Sequence, residues 1–432
     1  MYPINLSADE VVATLLGLSQ TEQVCILDSC GVSYMDSHTM FAGITPVHVE
    51  SISVDDPAQT LERLDDLLNS EFASVFTLSY DFGRKILGFD SLKKAGLSDE
   101  PDVFIAQFDN LIVHDYSTAE TYVSGNQKNY ESLGRLLTAN TSPQELPVSK
   151  SPATIASNLS EAAYLGTIRN IQERIRAGDT YQTNLTQQFT AELPPDLTPE
   201  AIFTRLRRNH PAPFSALIRR QNSSVVSASP ERFFRIDGDQ ISTSPVKGTR
   251  RRGQDDHEDE RMRADLLASA KDRAENTMIA DLLRNDLGQI CSYGSVKVDL
   301  LCQLETHPTF HHLVTTVSGT LRANLEFSDV LKAVFPCGSI TGAPKISTMR
   351  IIDKLEPTPR GLSMGAIGLH IPDGHFGVDG FTELSVAIRT MVVTGRVAIF
   401  NVGGGITTDS SPDDEYTESL LKATALFNAL SA

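Results

Sequence analysis

An α+β fold built largely on antiparallel sheet is what this 432-residue sequence predicts. Three observations carry that reading. Val225 to Thr243 alternates with period two around an Asp237-Gly238 turn, the pattern of a hairpin. His257 to Leu287 reads as one long helix, because Leu266, Ala270, Ala274, Met278 and Leu282 recur every four residues as an apolar stripe. From Gly294 to Gly405 strands and shorter helices alternate without the regular βαβ series that a parallel sheet requires.

The remaining elements follow in order. Residues 1–138 mix short helical and strand patterns, including an apolar strand-like run from Phe72 to Tyr80. The text from Thr138 to Asn158 is rich in Ser, Thr and Pro, so 139–158 reads as linker-like between an N-terminal region 1–138 and a larger region 159–432. A helix from about Glu161 to Ala177 is closed by Gly178, and a strand with the run Tyr181-Gln-Thr-Asn-Leu-Thr-Gln-Gln-Phe189 comes next. Strand-like text also covers Thr309 to Val317, Val386 to Thr390 and Val397 to Val402, and a last helix runs from Pro412 to Leu430.

Composition narrows the function. Hydrophobic content of 40% and charged content of 21% are those of an ordinary globular protein. With 37 Lys+Arg against 55 Asp+Glu the chain carries −18, a poor partner for nucleic acid, although a few arginines can still serve a small anion. The first ten residues lack a basic, apolar leader, and no run approaches the roughly 20 apolar residues of a membrane span. Five cysteines without a CxxC pair read as reduced thiols, so a cytoplasmic location is expected.

Lys247 stands out, held between Pro245 and Gly248 in Thr243-Ser-Pro-Val-Lys-Gly-Thr-Arg250. A lysine in such a loop is ordinarily a solvated charge. Here Glu231 opens the same hairpin, and Arg250, Arg251 and Arg252 follow; nearby cations and partial burial both favour the neutral, nucleophilic amine. Glu275 shares a helical row with Ile279 and Leu283, and a carboxylate bordering a core face needs a cation. Glu415 and Glu418 stand three apart on the last helix and face one way, so carboxylates from two helices could hold Mg²⁺. The plainer reading is also open: a helix N-terminus with acids in its first turn, and Glu418 paired with Lys422.

Three elements suit an anion. Gly403, Gly404 and Gly405 read as a turn with exposed amides, Arg389 as a cation within an apolar strand, and Gly338 to Lys345 as a glycine-bounded loop opening a helix. His312, in a strand-like run, is by itself more often packing than catalysis.

Together, Ser229-Pro-Glu-Arg-Phe233, Lys271-Asp-Arg-Ala-Glu-Asn276, Asp281-Leu-Leu-Arg-Asn-Asp286, Gly338 to Lys345, Ile388-Arg-Thr390 and Gly403 to Glu418 closely resemble the chorismate-utilising enzymes. Ser79-Tyr-Asp-Phe-Gly-Arg84 extends the likeness into the N-terminal third. The resemblance implies an anthranilate synthase component I-like fold, two domains packed as an antiparallel sheet sandwich with surrounding helices and chorismate between them. Lysine in Pro245-Val-Lys-Gly-Thr249, where anthranilate synthases carry alanine, and Tyr181-Gln182-Thr183-Asn184 look like aminodeoxychorismate synthase component I. That branch aminates chorismate to 4-amino-4-deoxychorismate for p-aminobenzoate and folate synthesis, with ammonia from a glutamine amidotransferase subunit.

By the same resemblance Lys247 is the nucleophile and Glu231 the acid/base. Glu275, Glu415 and Glu418 hold Mg²⁺, while Arg389, Gly403, Gly404, Gly405, Thr249, Thr341 and His312 contact substrate. Leu369 and Cys337 depart from the family's usual tyrosine and glycine, the hairpin Pro372 to Gly380 is longer than usual, and Ser29 only partly matches a tryptophan-binding motif. Anthranilate synthase component I and a non-catalytic chorismate-binding homologue are the alternatives. Ser244-Pro-Val-Lys247 also fits the Ser-x-x-Lys of penicillin-binding proteins, but its companion Ser-Asp-Asn and Lys-Thr-Gly motifs are absent.

Overall fold

The computed structural model describes the chain apart from residues 34–37, 54, 90–99, 140–150, 307–309 and 432. Two antiparallel sheets form its frame. The first, of 12 strands, runs from Tyr2–Ile4 through Glu120–Gly125, Asn110–Asp115, Thr39–Ile44 and Val24–Asp28 to Phe214–Arg219, Ser223–Ser229, Thr390–Thr394, Val397–Ile406 and Gln182–Glu192. Gly342–Ala343 and Thr154–Ser157 both pair with Gln182–Glu192. The second, of 10 strands, runs from Val246–Arg251 through Phe310–Thr320, Gln240–Ser244, Arg232–Asp237, Phe381–Val386 and Ala366–Ile371 to Ala73–Leu78, Val103–Phe108 and His48–Ile52. Lys297–Thr306 lies along the other side of Phe310–Thr320.

Period-two alternation sorts the side chains into layers. In Val24–Asp28, Cys25 packs between the sheets while Val24 and Ile26 pack against outer helices. In Ala73–Leu78, Ala73 and Val75 face inward while Phe76 and Leu78 face outward. Helices Ala8–Leu18, Pro199–Asn209 and Pro412–Leu430 cover the first sheet, and Pro57–Leu68, Ala270–Gly288 and Phe327–Val334 cover the second. The predicted α+β sandwich with surrounding helices is therefore observed, as two sheets face to face inside a shell of helices. No helix among the described residues is long and apolar enough to cross a membrane.

Several local expectations are corrected. The helix expected from His257 to Leu287 is two, Asp256–Ala268 and Ala270–Gly288, divided at Ser269. Ser269 adopts an extended backbone, and its hydroxyl accepts the Asp272 N–H to cap the second helix. The expected stripe is consequently not the core face: Ala270 and Ala274 are exposed, and Ile279, Leu283 and Leu287 form the inward row. The Asp237-Gly238 turn forms, but the chain from Val225 to Thr243 changes sheets at Pro230-Glu231. Of the linker-like stretch, 140–150 lies outside the described residues and Thr154–Ser157 is a strand. Leu369 packs between the sheets.

Candidate active site

Twice, side by side, the chain passes from one sheet to the other. Ser223–Ser229 of the first sheet leads into Arg232–Asp237 of the second, and Phe381–Val386 of the second leads into Thr390–Thr394 of the first. The crossovers are stitched together: the Val386 N–H donates to the Glu231 carbonyl at 3.0 Å, and the Ala228 N–H to the Arg389 carbonyl at 3.1 Å. Arg389 therefore lies at a crossover, not in a strand, and its φ of 48° is left-handed, a strained conformation for a side chain of this size. A cavity of about 550 Å³ opens at this seam. It is lined from the first sheet by Asn184, Gly403 and Gly405, from the second by Lys247 and His312, and from helices by Glu275 and Glu415.

Lys247 is on a strand, Val246–Arg251, and not in the expected loop. The strand pairs with Phe310–Thr320, and its register slips between Lys247 and Thr249 at Gly248, whose φ of 77° makes the bulge. The slip leaves the amine at the cavity, where Nζ donates to the Ser339 carbonyl at 3.1 Å. Glu231 is buried beside it. The Ser339 hydroxyl and the Val246 N–H lie near its carboxyl and favour its charged form, while Oε1 has no hydrogen-bond partner among the described residues. Burial pushes the Glu231 pKa up, outweighing the opposing pull of Lys247 and of those two donors. Cys337, also buried, puts its thiol 3.3 Å from the Ser339 hydroxyl.

The arginines do not supply the positive field expected around Lys247. Arg250 pairs with Asp265 and Asp272, Arg251 with Glu258, and Arg252 with Asp259. Carboxylates face the amine instead: Glu231, Glu275 and Glu418 all feel its charge.

Glu275, Glu415 and Glu418 line the same cavity, yet among the described residues no three His, Cys, Asp or Glu side chains form a ready metal cluster. A lysine occupies the space. Lys271 Nζ lies 3.2 Å from Glu415 Oε1 and 3.9 Å from Glu275 Oε1. Glu415 is buried and also accepts the Ser410 hydroxyl at 2.7 Å. Glu418 pairs with Lys422 at 2.7 Å, and Lys422 reaches the Gly403 carbonyl at 3.3 Å. Burial raises the Glu275 pKa against the pull of Lys247 and Lys271. The donor set is all oxygen and already gathers ammonium groups, so it fits a hard cation that displaces one of them.

Other expected contacts divide. His312 lines the cavity, its Nδ1 2.9 Å from the Thr249 hydroxyl. Arg389 lines it too, stacks 5.8 Å from the Phe310 ring, and forms no ion pair among the described residues; burial lowers its pKa. Gly403–Gly405 are not a turn. They continue strand Val397–Ile406, paired with Asn184–Thr186, and a Cβ on Gly404 would stand 3.3 Å from Glu415 Oε2. Thr341 is fully buried and spends its hydroxyl on the Cys337 and Gly338 carbonyls, away from the cavity lining. Lys345 is bound to Asp286 at 2.7 Å, so of its loop only Ser339 and Ile340 reach the cavity. Sequence reasoning missed Ser339, Lys271 and Asn184 as lining residues; the Lys271–Glu275 spacing of four was the available signal for one of them.

Comparison with known proteins gives a consistent picture. The chorismate binding enzyme family matches residues 29–428. Aminodeoxychorismate synthase component 1 from Escherichia coli (strain K12) is 34% identical over 421 residues, 95% of this chain and 88% of its own. An anthranilate synthase component 1 from Haloarcula marismortui is 36% identical over 93% of this chain and 82% of its own. Among solved structures, anthranilate synthase component I from Streptococcus pneumoniae superposes with a TM-score of 0.78 at 26% identity, covering 91% of this chain and 93% of that one. The menaquinone-specific isochorismate synthase from Escherichia coli shares the fold, with a TM-score of 0.72 at 16% identity over 99% of this chain and 93% of that one.

Proposed function

Because this chain belongs to the chorismate binding enzymes, we propose that it is the aminating component of an aminodeoxychorismate synthase, a transferase making 4-amino-4-deoxychorismate from chorismate and ammonia. The single observation that carries this reading is the juxtaposition of Lys247 and Glu231 through Ser339 inside a cavity of substrate size. Identity to named relatives does not separate amination at ring carbon 4 from anthranilate formation, since both kinds match at about the same level. Lysine at 247 does.

In this mechanism the Lys247 amine adds to ring carbon 2. The two ring double bonds shift and the carbon 4–oxygen bond breaks. Glu231, kept protonated to higher pH than an ordinary glutamate, gives its proton to the departing hydroxyl, which leaves as water. Ammonia then forms its bond to carbon 4, the double bonds return, and the carbon 2–nitrogen bond to Lys247 breaks. The proton lost by the incoming ammonia balances the one that restores the acid form of Glu231. Arg389 offers its guanidinium to the enolpyruvyl carboxylate, and the glycines at 403 and 405 let the backbone approach substrate closely. Glu275, Glu415 and Glu418 would hold Mg²⁺, which when bound grips the ring carboxylate and withdraws electron density from the ring. Ammonia would come from a separate glutamine amidotransferase subunit.

Incubation with chorismate, Mg²⁺ and an ammonium salt, followed by mass spectrometry of the product, tests the assignment. An aminated product with the enolpyruvyl group retained is expected, giving p-aminobenzoate only after a lyase is added. Direct release of fluorescent anthranilate would falsify it in favour of anthranilate synthase component I.

A further inference from the structure

We infer that Lys271 is a built-in counter-ion that holds the divalent-cation position closed, so that a metal must displace it to enter. The inference rests on the reading of Glu275 and Glu415 as metal ligands. One ammonium group serves two of the three carboxylates, lying 3.2 Å from Glu415 and 3.9 Å from Glu275. Those two carboxylates come from different helices, Glu275 from Ala270–Gly288 and Glu415 from Pro412–Leu430, so the ammonium bridges the helices as a cation would.

Exposure distinguishes the partners. The Glu415 side chain is 4% exposed and that of Glu275 13%, whereas that of Lys271 is 51% exposed. The acids are fixed and desolvated, and a buried carboxylate without a cation is costly. The lysine is held only at its tip and can withdraw into water on its own flexible stem. Lys422 is a poor candidate for the same duty. It reaches Glu418 at 2.7 Å from one turn along the same helix, and both side chains are nearly half exposed, an arrangement that contributes little. The gate is therefore Lys271, and metal affinity is the difference between two cations competing for one pair of carboxylates.

Calorimetric titration with Mg²⁺ alone, without chorismate, tests this on the full chain. Lys271→Gln should bind Mg²⁺ at least about tenfold tighter than wild type, while Lys271→Arg, which keeps the charge, should not. A folded Lys271→Gln protein with equal or weaker Mg²⁺ affinity overturns the inference and leaves the metal reading standing. Absence of Mg²⁺ binding in wild type and in Lys271→Gln, with chorismate as well as without, overturns the metal reading itself. A second measurement needs no variant. Acylation of wild-type lysines, read by peptide mass spectrometry, should speed up several-fold at Lys271 when Mg²⁺ is added, and an unchanged rate there sinks the displacement.

Discussion

Ser339 stands between the two groups: its carbonyl accepts the Lys247 Nζ, and its hydroxyl lies near the Glu231 carboxyl and favours its charged form. Removing either partner should act on chemistry more than on binding. Lys247→Ala is expected to lower ammonia-dependent turnover by about 10²–10⁴, a range typical of losing one positioned group, with chorismate binding retained in a direct binding assay. Glu231→Gln should lose turnover by a similar factor. The pKa of Glu231 is raised, so the acid form persists to higher pH and wild-type turnover should fall as pH rises through that value; at fixed free ammonia the variant should lack this limb. The same sign governs stability. A raised folded pKa favours the fold at low pH and loses that contribution as pH rises, so Glu231→Gln should melt higher than wild type at neutral pH. That Lys247 and Glu231 lie close together was legible because their two short motifs flank the same Asp237-Gly238 hairpin. The arginine trio was misread because its partners, Glu258, Asp259, Asp265 and Asp272, lie on the following helices, and no spacing rule along the chain reveals which acids a folded arginine will meet.

The bulge at Gly248 is the element that turns the Lys247 amine to the cavity. A Cβ there would stand 2.9 Å from Leu266 Cδ1 and 3.0 Å from the Asp272 side chain, in a left-handed backbone that side chains disfavour. Gly248→Ala should cost about 1–3 kcal/mol in chemical denaturation and reduce turnover further than that loss implies, because the slip in register would have to relax. Sequence marked the glycine but called for a loop, since a bulged strand and a loop carry the same Pro and Gly punctuation. The same ambiguity affected Gly403–Gly405, which form no turn: Gly403 and Gly405 sit tight against the neighbouring strand Gln182–Glu192, and Gly404 faces Glu415 of the last helix. The helix break at Ser269 is hidden in the sequence because an every-four apolar row continues across it, while a single serine able to cap a new helix is a weak signal.

At the scale of the whole molecule, predicted class and layering held because alternation within strands is a strong local pattern, whereas the order of strands across each sheet is set by long-range pairing that no window contains. His370 reports on that assembly. It stands on Ala366–Ile371, the strand that meets Ala73–Leu78, with its Nδ1 2.8 Å from the Thr382 hydroxyl. Burial depresses its pKa from 6.5 to about 4. A depressed histidine stabilises the fold above its unfolded pKa and loses that contribution as pH falls through the folded one. Urea unfolding should therefore weaken by up to roughly 3 kcal/mol across that interval, and His370→Gln should flatten the slope. The strand Ala73–Leu78 and its counterpart Val24–Asp28, which joins Phe214–Arg219, carry a further implication. Every residue nominated for catalysis follows position 180, yet both layers beneath them are completed by chain from the first 138 residues. A fragment trimmed to its chemistry would bare two raw sheet borders at once and should clump, so this enzyme cannot be shortened from the front without losing its footing.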